Sequence, residues 1–220
     1  DRLETLCKET DCKAVNVYST HDHAGVDTLG LWGPPMVDGK NDEYMENVIE
    51  AAVRAAQEAT ENRTAGKLYY GSVDTEALAP MLRDSRYPLI YDSYLHQLRF
   101  EPNESTAAGI RMYIYGAHAE ALRGDNAMIS RDFPGTMCDW IEEETGDRAM
   151  FMPGAVGGLI MTKEFTGLYV NNMKITAQKL TDFALSIEEE EEIVLLEENK
   201  WRVKGSVLLD NLTEKLDIRL

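Results

Sequence analysis

The apolar residues of this chain change their period repeatedly between its two ends, and that alternation bounds the folds open to it. Residues 14–19 (Ala-Val-Asn-Val-Tyr-Ser) alternate as a strand does, whereas Tyr44, Val48, Ala51, Ala52 and Ala55 recur at helical spacing after Asn41 or Asp42, either of which can cap a helix. Strand patterns return at residues 67–71, 95–100, 109–116 and 149–152. Helical patterns open the chain around Leu3, Leu6 and Cys7, follow the 130–135 segment through Glu144, and return from Asn171 through Ile187. Strands alternating with helices predict an α/β fold whose sheet is mixed and partly parallel and is flanked by helices. The tail, residues 201–220, alternates weakly and reads as further strand material, and the five glutamates at 188–192 read as a solvated stretch.

Length and charge narrow the function classes. At 220 residues one large domain, residues 1–220, is expected rather than two complete ones. Lys and Arg number 22 against 39 Asp and Glu, a formal net charge of −17, which sets a repulsive field against phosphate backbones and excludes a nucleic-acid partner. With 44% hydrophobic residues the chain is too apolar to stay disordered. No run of about 18 apolar residues exists to span a bilayer, and no targeting segment is present in this chain. The start, Asp1 opening directly onto a helix, looks trimmed. Cys7, Cys12 and Cys138 declare neither a disulfide framework nor a metal-type spacing.

Four histidines carry the chemical signal. His21 and His23 follow the first strand pattern at spacing i, i+2, which on a strand projects both imidazoles to one face at a strand end where ligands collect. The pair reads either as a metal or catalytic site or as two surface histidines. His118 ends a second apolar strand among Ala117, Ala119 and Ala121 and can approach the same sheet edge, whereas His96 lies mid-strand and reads as structural. Zinc suits such imidazoles, and a catalytic site would need one further protein ligand plus an open water position. The turn Gly154-Ala155-Val156-Gly157-Gly158 lacks the spacing, lysine and hydroxyl of a phosphate loop, so it reads as a tight turn beside the site.

Thr20-His21-Asp22-His23-Ala24-Gly25 resembles the T-H-T-H-S-G-P motif of the neutral/alkaline ceramidase family, zinc-dependent amidases that cleave N-acyl sphingosines. Further segments resemble that family in the same order. Arg83-Asp84-Ser85-Arg86-Tyr87-Pro88 is similar to its N-R-S-P loop, and Gly116-Ala117-His118-Ala119 to its strand ending in A-x-H-P. Ser130-Arg131-Asp132-Phe133-Pro134-Gly135 is similar to its S-x-D-x-x-G, and residues 151–161 to its G-x-x-G-D-V-S-P turn. The resemblance covers roughly residues 14–161. It implies that His21 and His118 are zinc ligands, that His23 polarises or positions the substrate carbonyl, and that Arg86, or else Arg83, contacts the substrate. A small-molecule or lipid-like substrate and an extracellular or cell-envelope location are implied in the same way.

Two departures shape the expected chemistry. Ile160 is read at the position of the family's nucleophilic serine, and an isoleucine cannot attack a carbonyl. The family's glutamate and tyrosine ligands have no match in the tail, so either the last stretch diverges or the chain stops short of them. The expectation is therefore a metal-dependent hydrolase in which zinc-activated water attacks an amide or ester directly. The alternative is a binding or cell-surface domain that keeps the fold without turnover.

Overall fold

The computed structural model describes residues 2–9, 15–84, 88, 90–104, 106–123, 126–161, 167–188, 190–197 and 200–203. They form two compact units, one of residues 1–19 and 25–64 and one of residues 20–24 and 65–220.

The smaller unit holds α1 (Arg2–Glu9) and α2 (Asp42–Glu61), packed on one another. The Asn41 side chain accepts from the Tyr44 amide at 2.8 Å, and Asp42 and Glu43 follow at the positive end of the helix dipole, so α2 begins where the cap residue was expected. The preceding loop turns on Asp27, whose carboxylate accepts from the amides of Leu29, Gly30 and Trp32. Those bonds, Trp32 foremost, hold its pKa below the usual carboxylate value. The strand expected at residues 14–19 does not form over the described residues 15–19. They join no ladder, and Val17 and Tyr18 are exposed, because alternation makes a strand only where a partner edge takes up its backbone.

In the larger unit the chain runs through β1 (Gly66–Asp74), a short 3₁₀ turn (Glu76–Met81), β2 (Leu82–Arg83), β3 (Tyr94–Pro102), β4 (Ile110–Tyr115), α3 (Asp132–Thr145), β5 (Arg148–Pro153), β6 (Ile160–Met161), α4 (Tyr169–Leu185), β7 (Glu190–Glu197) and β8 (Lys200–Val203). Six strands make one sheet in the order β5-β4-β3-β1-β7-β8, and β2 pairs with β6 apart from it. Only β4 and β5 run parallel, joined through α3 as a parallel pair requires; the other pairs are antiparallel. The mixed, partly parallel sheet flanked by helices is the α/β fold expected. Part of the glutamate run forms a strand. Glu190, Glu191 and Glu192 pair by backbone with Gly71, Tyr70 and Tyr69, since ladder bonds do not depend on the side chain. The tail beyond Val203 lies outside the described residues.

The core lies between the sheet and α3 and α4. Leu95, Tyr113 and Tyr115 from the strands meet Phe133, Met137 and Ile141 of α3 and Leu180 of α4. Burial of Leu95 and Gln97, two apart on β3, marks the face turned inward. Gly146 stops α3 in the left-handed conformation at φ 75°, which a side chain would strain. Asp147 then bonds the Arg111 guanidinium at 2.6 Å and the Gly109 amide at 3.1 Å, fixing the entry into β5. Leu180 is fully buried, so Leu180→Ala is expected to cost about 2–5 kcal/mol in urea unfolding, whereas a surface change on α2 such as Ala55→Ser stays within about 0.5 kcal/mol.

Candidate metal centre

The site begins with a run of small residues. Beyond β4 the chain continues through Ala117, Ala119 and Ala121, all buried, so the backbone itself runs through the interior and its polar groups need partners. Leu159 supplies one, since its carbonyl accepts from the His118 amide at 3.0 Å and from His118 Nδ1 at 2.8 Å. A carbonyl can only accept, so Nδ1 carries the ring proton and Nε2 is left with a free lone pair. This is the usual device for aiming a metal-binding histidine.

The second strand of the site is scarcely a strand. Asp22 forms a single parallel bridge with Ala119, and the His23 amide donates to the Ala119 carbonyl at 3.1 Å. Asp22 Oδ1 accepts from the Ala24 amide, and the Ala24 carbonyl accepts from the Ser130 amide. His21 sits at φ 49°, in the left-handed region. The i, i+2 strand argument therefore gives way to a kinked segment clipped beside Ala119, and that clip brings His21 and His23 to His118.

The three imidazoles form one cluster. Ring centroids lie 5.1 Å apart for His21 and His23, 4.6 Å for His21 and His118, and 5.2 Å for His23 and His118. One ligand nitrogen from each can be chosen so that all three lie within 4.8 Å of one another. Imidazole nitrogens on one tetrahedral zinc ion are separated by roughly 3.4 Å, so small ring rotations bring this donor set to bonding geometry, and three nitrogens suit zinc by chemistry. Burial lowers the pKa of His21, the neighbouring His118 and then His23 rings lower it further by disfavouring a second positive charge, and Glu120 works in the opposite direction. The neutral ring so favoured is the form that binds metal.

Glu120 is the residue that sequence reasoning missed. Its Oε2 lies 3.1 Å from His23 Nδ1. Asp132 was seen only as part of a motif. It is buried at φ 50°, its Oδ2 accepts from the Leu122 amide at 2.9 Å and its Oδ1 from the Phe133 amide at 2.6 Å. Burial raises its pKa despite these bonds.

The remaining expectations fall as follows. Arg86 lies outside the described residues, while Arg83 is exposed on β2, its backbone paired with Ile160. The Gly154–Gly158 segment is a tight turn: the Gly154 amide donates to the Tyr115 carbonyl and the Leu159 amide to the Val156 carbonyl, delivering Leu159 to His118. His96 has both ring nitrogens engaged, with the Tyr70 hydroxyl at 2.8 Å and Asp92 at 2.9 Å. Such engagement suits the structural role expected of it.

No protein-family model matches the chain, and no curated protein sequence does. Solved structures do match. The neutral ceramidase from Pseudomonas aeruginosa superposes with a TM-score of 0.56 at 18% identity, over 69% of this chain and 28% of that one. A ceramidase complexed with C2 superposes with a TM-score of 0.65 at 18% identity, over 86% of this chain and 34% of that one. The chain thus spans about a third of the length of the ceramidases it matches. At this identity the likeness establishes a shared, ceramidase-like fold.

The Asp132 bonds generate a stability test. Asp132→Ala leaves one buried and one partly buried amide without this acceptor, at about 1–3 kcal/mol each, so the variant should lose about 2–6 kcal/mol in urea unfolding. Asp132→Asn keeps one acceptor and tolerates the left-handed backbone, and should lose clearly less.

Proposed function

We propose that this chain is a metal-dependent hydrolase of the ceramidase type, acting on an amide or ester of a small-molecule or lipid-like substrate, with zinc at His21 and His118. The observation that carries the reading is the convergence of His21, His23 and His118 on one point within a fold shared with ceramidases. When bound there, zinc would supply Lewis-acid polarisation of the scissile carbonyl and a water acidic enough to attack near neutral pH.

The protein's own groups have separable tasks. The Leu159 carbonyl holds the His118 tautomer, and the Glu120 carboxylate stands beside His23. Arg86 is assigned to substrate contact on the resemblance of its loop. No residue from Gly154 through Met161 carries a hydroxyl or thiol, so that turn offers no nucleophile for an acyl-enzyme and hydrolysis proceeds in a single displacement. The lipid-like character of the substrate is taken from the ceramidases that share the fold. No helix among the described residues is long and apolar enough to cross a membrane. An extracellular or cell-envelope location completes the reading, by analogy with the ceramidase family.

The test is hydrolysis of a panel of N-acyl amides and simple esters by the zinc-loaded protein. Chelation should abolish turnover, zinc should restore it, and His118→Ala should lower kcat/KM by about 10³-fold or more, the scale of several kcal/mol of transition-state stabilisation. Arg86→Ala should raise KM with kcat nearly unchanged. Intact mass during turnover should show no substrate-derived adduct, and an adduct on any serine would overturn the single displacement. Inactivity across the panel with zinc bound would favour a non-catalytic binding or cell-surface domain.

A further inference from the structure

We infer that His23 is a third ligand of the same metal, held in place by Glu120, so that the centre consists of three imidazoles rather than two; the inference rests on the metal-hydrolase reading above.

The first argument is distance. His23 Nε2 lies 3.3 Å from His21 Nε2. Two nitrogens each 2.0–2.1 Å from one tetrahedral ion stand roughly 3.3–3.4 Å apart. These two rings already sit at the edge length of such a site.

The second argument is proton accounting. Glu120 Oε2 lies 3.1 Å from His23 Nδ1, and an ionised carboxylate can only accept. The Nδ1 of His23 therefore carries the proton, and in the neutral ring Nε2 is a bare lone pair facing His21. In the tautomer that the Glu120 contact favours, Nε2 has no N–H to offer a substrate carbonyl, unlike the polarising role the ceramidase resemblance implies for His23. What it offers is a donor atom.

The third argument is correspondence between partners. His118 is aimed through its Nδ1 by the Leu159 carbonyl, and His23 is aimed through its Nδ1 by the Glu120 carboxylate. Both arrangements have the form in which an outer acceptor orients a metal-binding imidazole and raises its basicity. Three protein ligands with a fourth position open are the composition of a catalytic rather than a structural zinc site. The third ligand is thereby found within the described residues, without a glutamate or tyrosine from the tail.

The experiment is zinc titration against a competing chelator on the full chain, with X-ray absorption of the zinc-loaded wild type to count imidazoles. The expected results are one ion per chain, three imidazoles in the wild type and a loss of affinity beyond 100-fold in His23→Ala. Glu120→Gln should lose about 10–100-fold, the usual effect of removing an outer partner. His96→Ala, at an engaged histidine outside the cluster, should leave affinity unchanged. Both His23 and Glu120 are partly exposed, so circular dichroism should confirm that these variants fold. Two imidazoles in the wild type, or His23→Ala binding within threefold of wild type, overturns the inference while leaving a zinc site on His21 and His118. A wild type that binds no zinc overturns that underlying reading as well.

Discussion

The larger unit depends on one constraint: the chain leaving β4 passes through the interior as backbone, and buried backbone must be hydrogen-bonded. Ala117, Ala119 and Ala121 are small enough to let it through, and elements from distant parts of the sequence supply its partners. Leu159 takes the His118 amide, the Ala119 carbonyl takes the His23 amide, and Asp132 takes the Leu122 amide. Each partner belongs to one of the segments that surround the histidines. Satisfying this short stretch and assembling the site are the same structural act.

The arrangement places buried electrostatics where they serve binding. The pKa of His21 is lowered by partial burial and by its two neighbouring rings, which disfavour a proton there and leave the ring nitrogen to a cation. Asp132 is not among the three residues of the cluster. Its left-handed backbone, sparsely populated for a residue with a side chain, persists because two amides and the first turn of α3 over-determine it.

Much of this was legible in the residues. The period of two at β1, β3, β4 and β5, the cap at Asn41 and the small-residue run around His118 are local signals, and local signals determine where elements start and what they can approach. The expectation that His21 and His118 come together needed one more thing, the resemblance of two short motifs to ceramidases. What stayed hidden depends on long-range contact. Residues 15–19 have a strand's pattern but no partner edge, while Glu190–Glu192 have no strand-like side chains yet find the free edge of β1. Glu120 looked like one carboxylate among many, because its meaning lies in a contact with His23 across 97 positions. The left-handed turn at His21 left no glycine or proline to announce it.

The central claim is that the fold brings three imidazoles to one metal-binding point. Anomalous diffraction at the zinc edge from crystals of the protein exposed to zinc tests it most directly. The account predicts a single strong peak about 2.0–2.1 Å from an imidazole nitrogen of each of His21, His23 and His118, with the 20–24 and 117–122 segments paired through Asp22, His23 and Ala119 as described. A peak elsewhere, or a cluster that forms only by rearranging those segments, would contradict it.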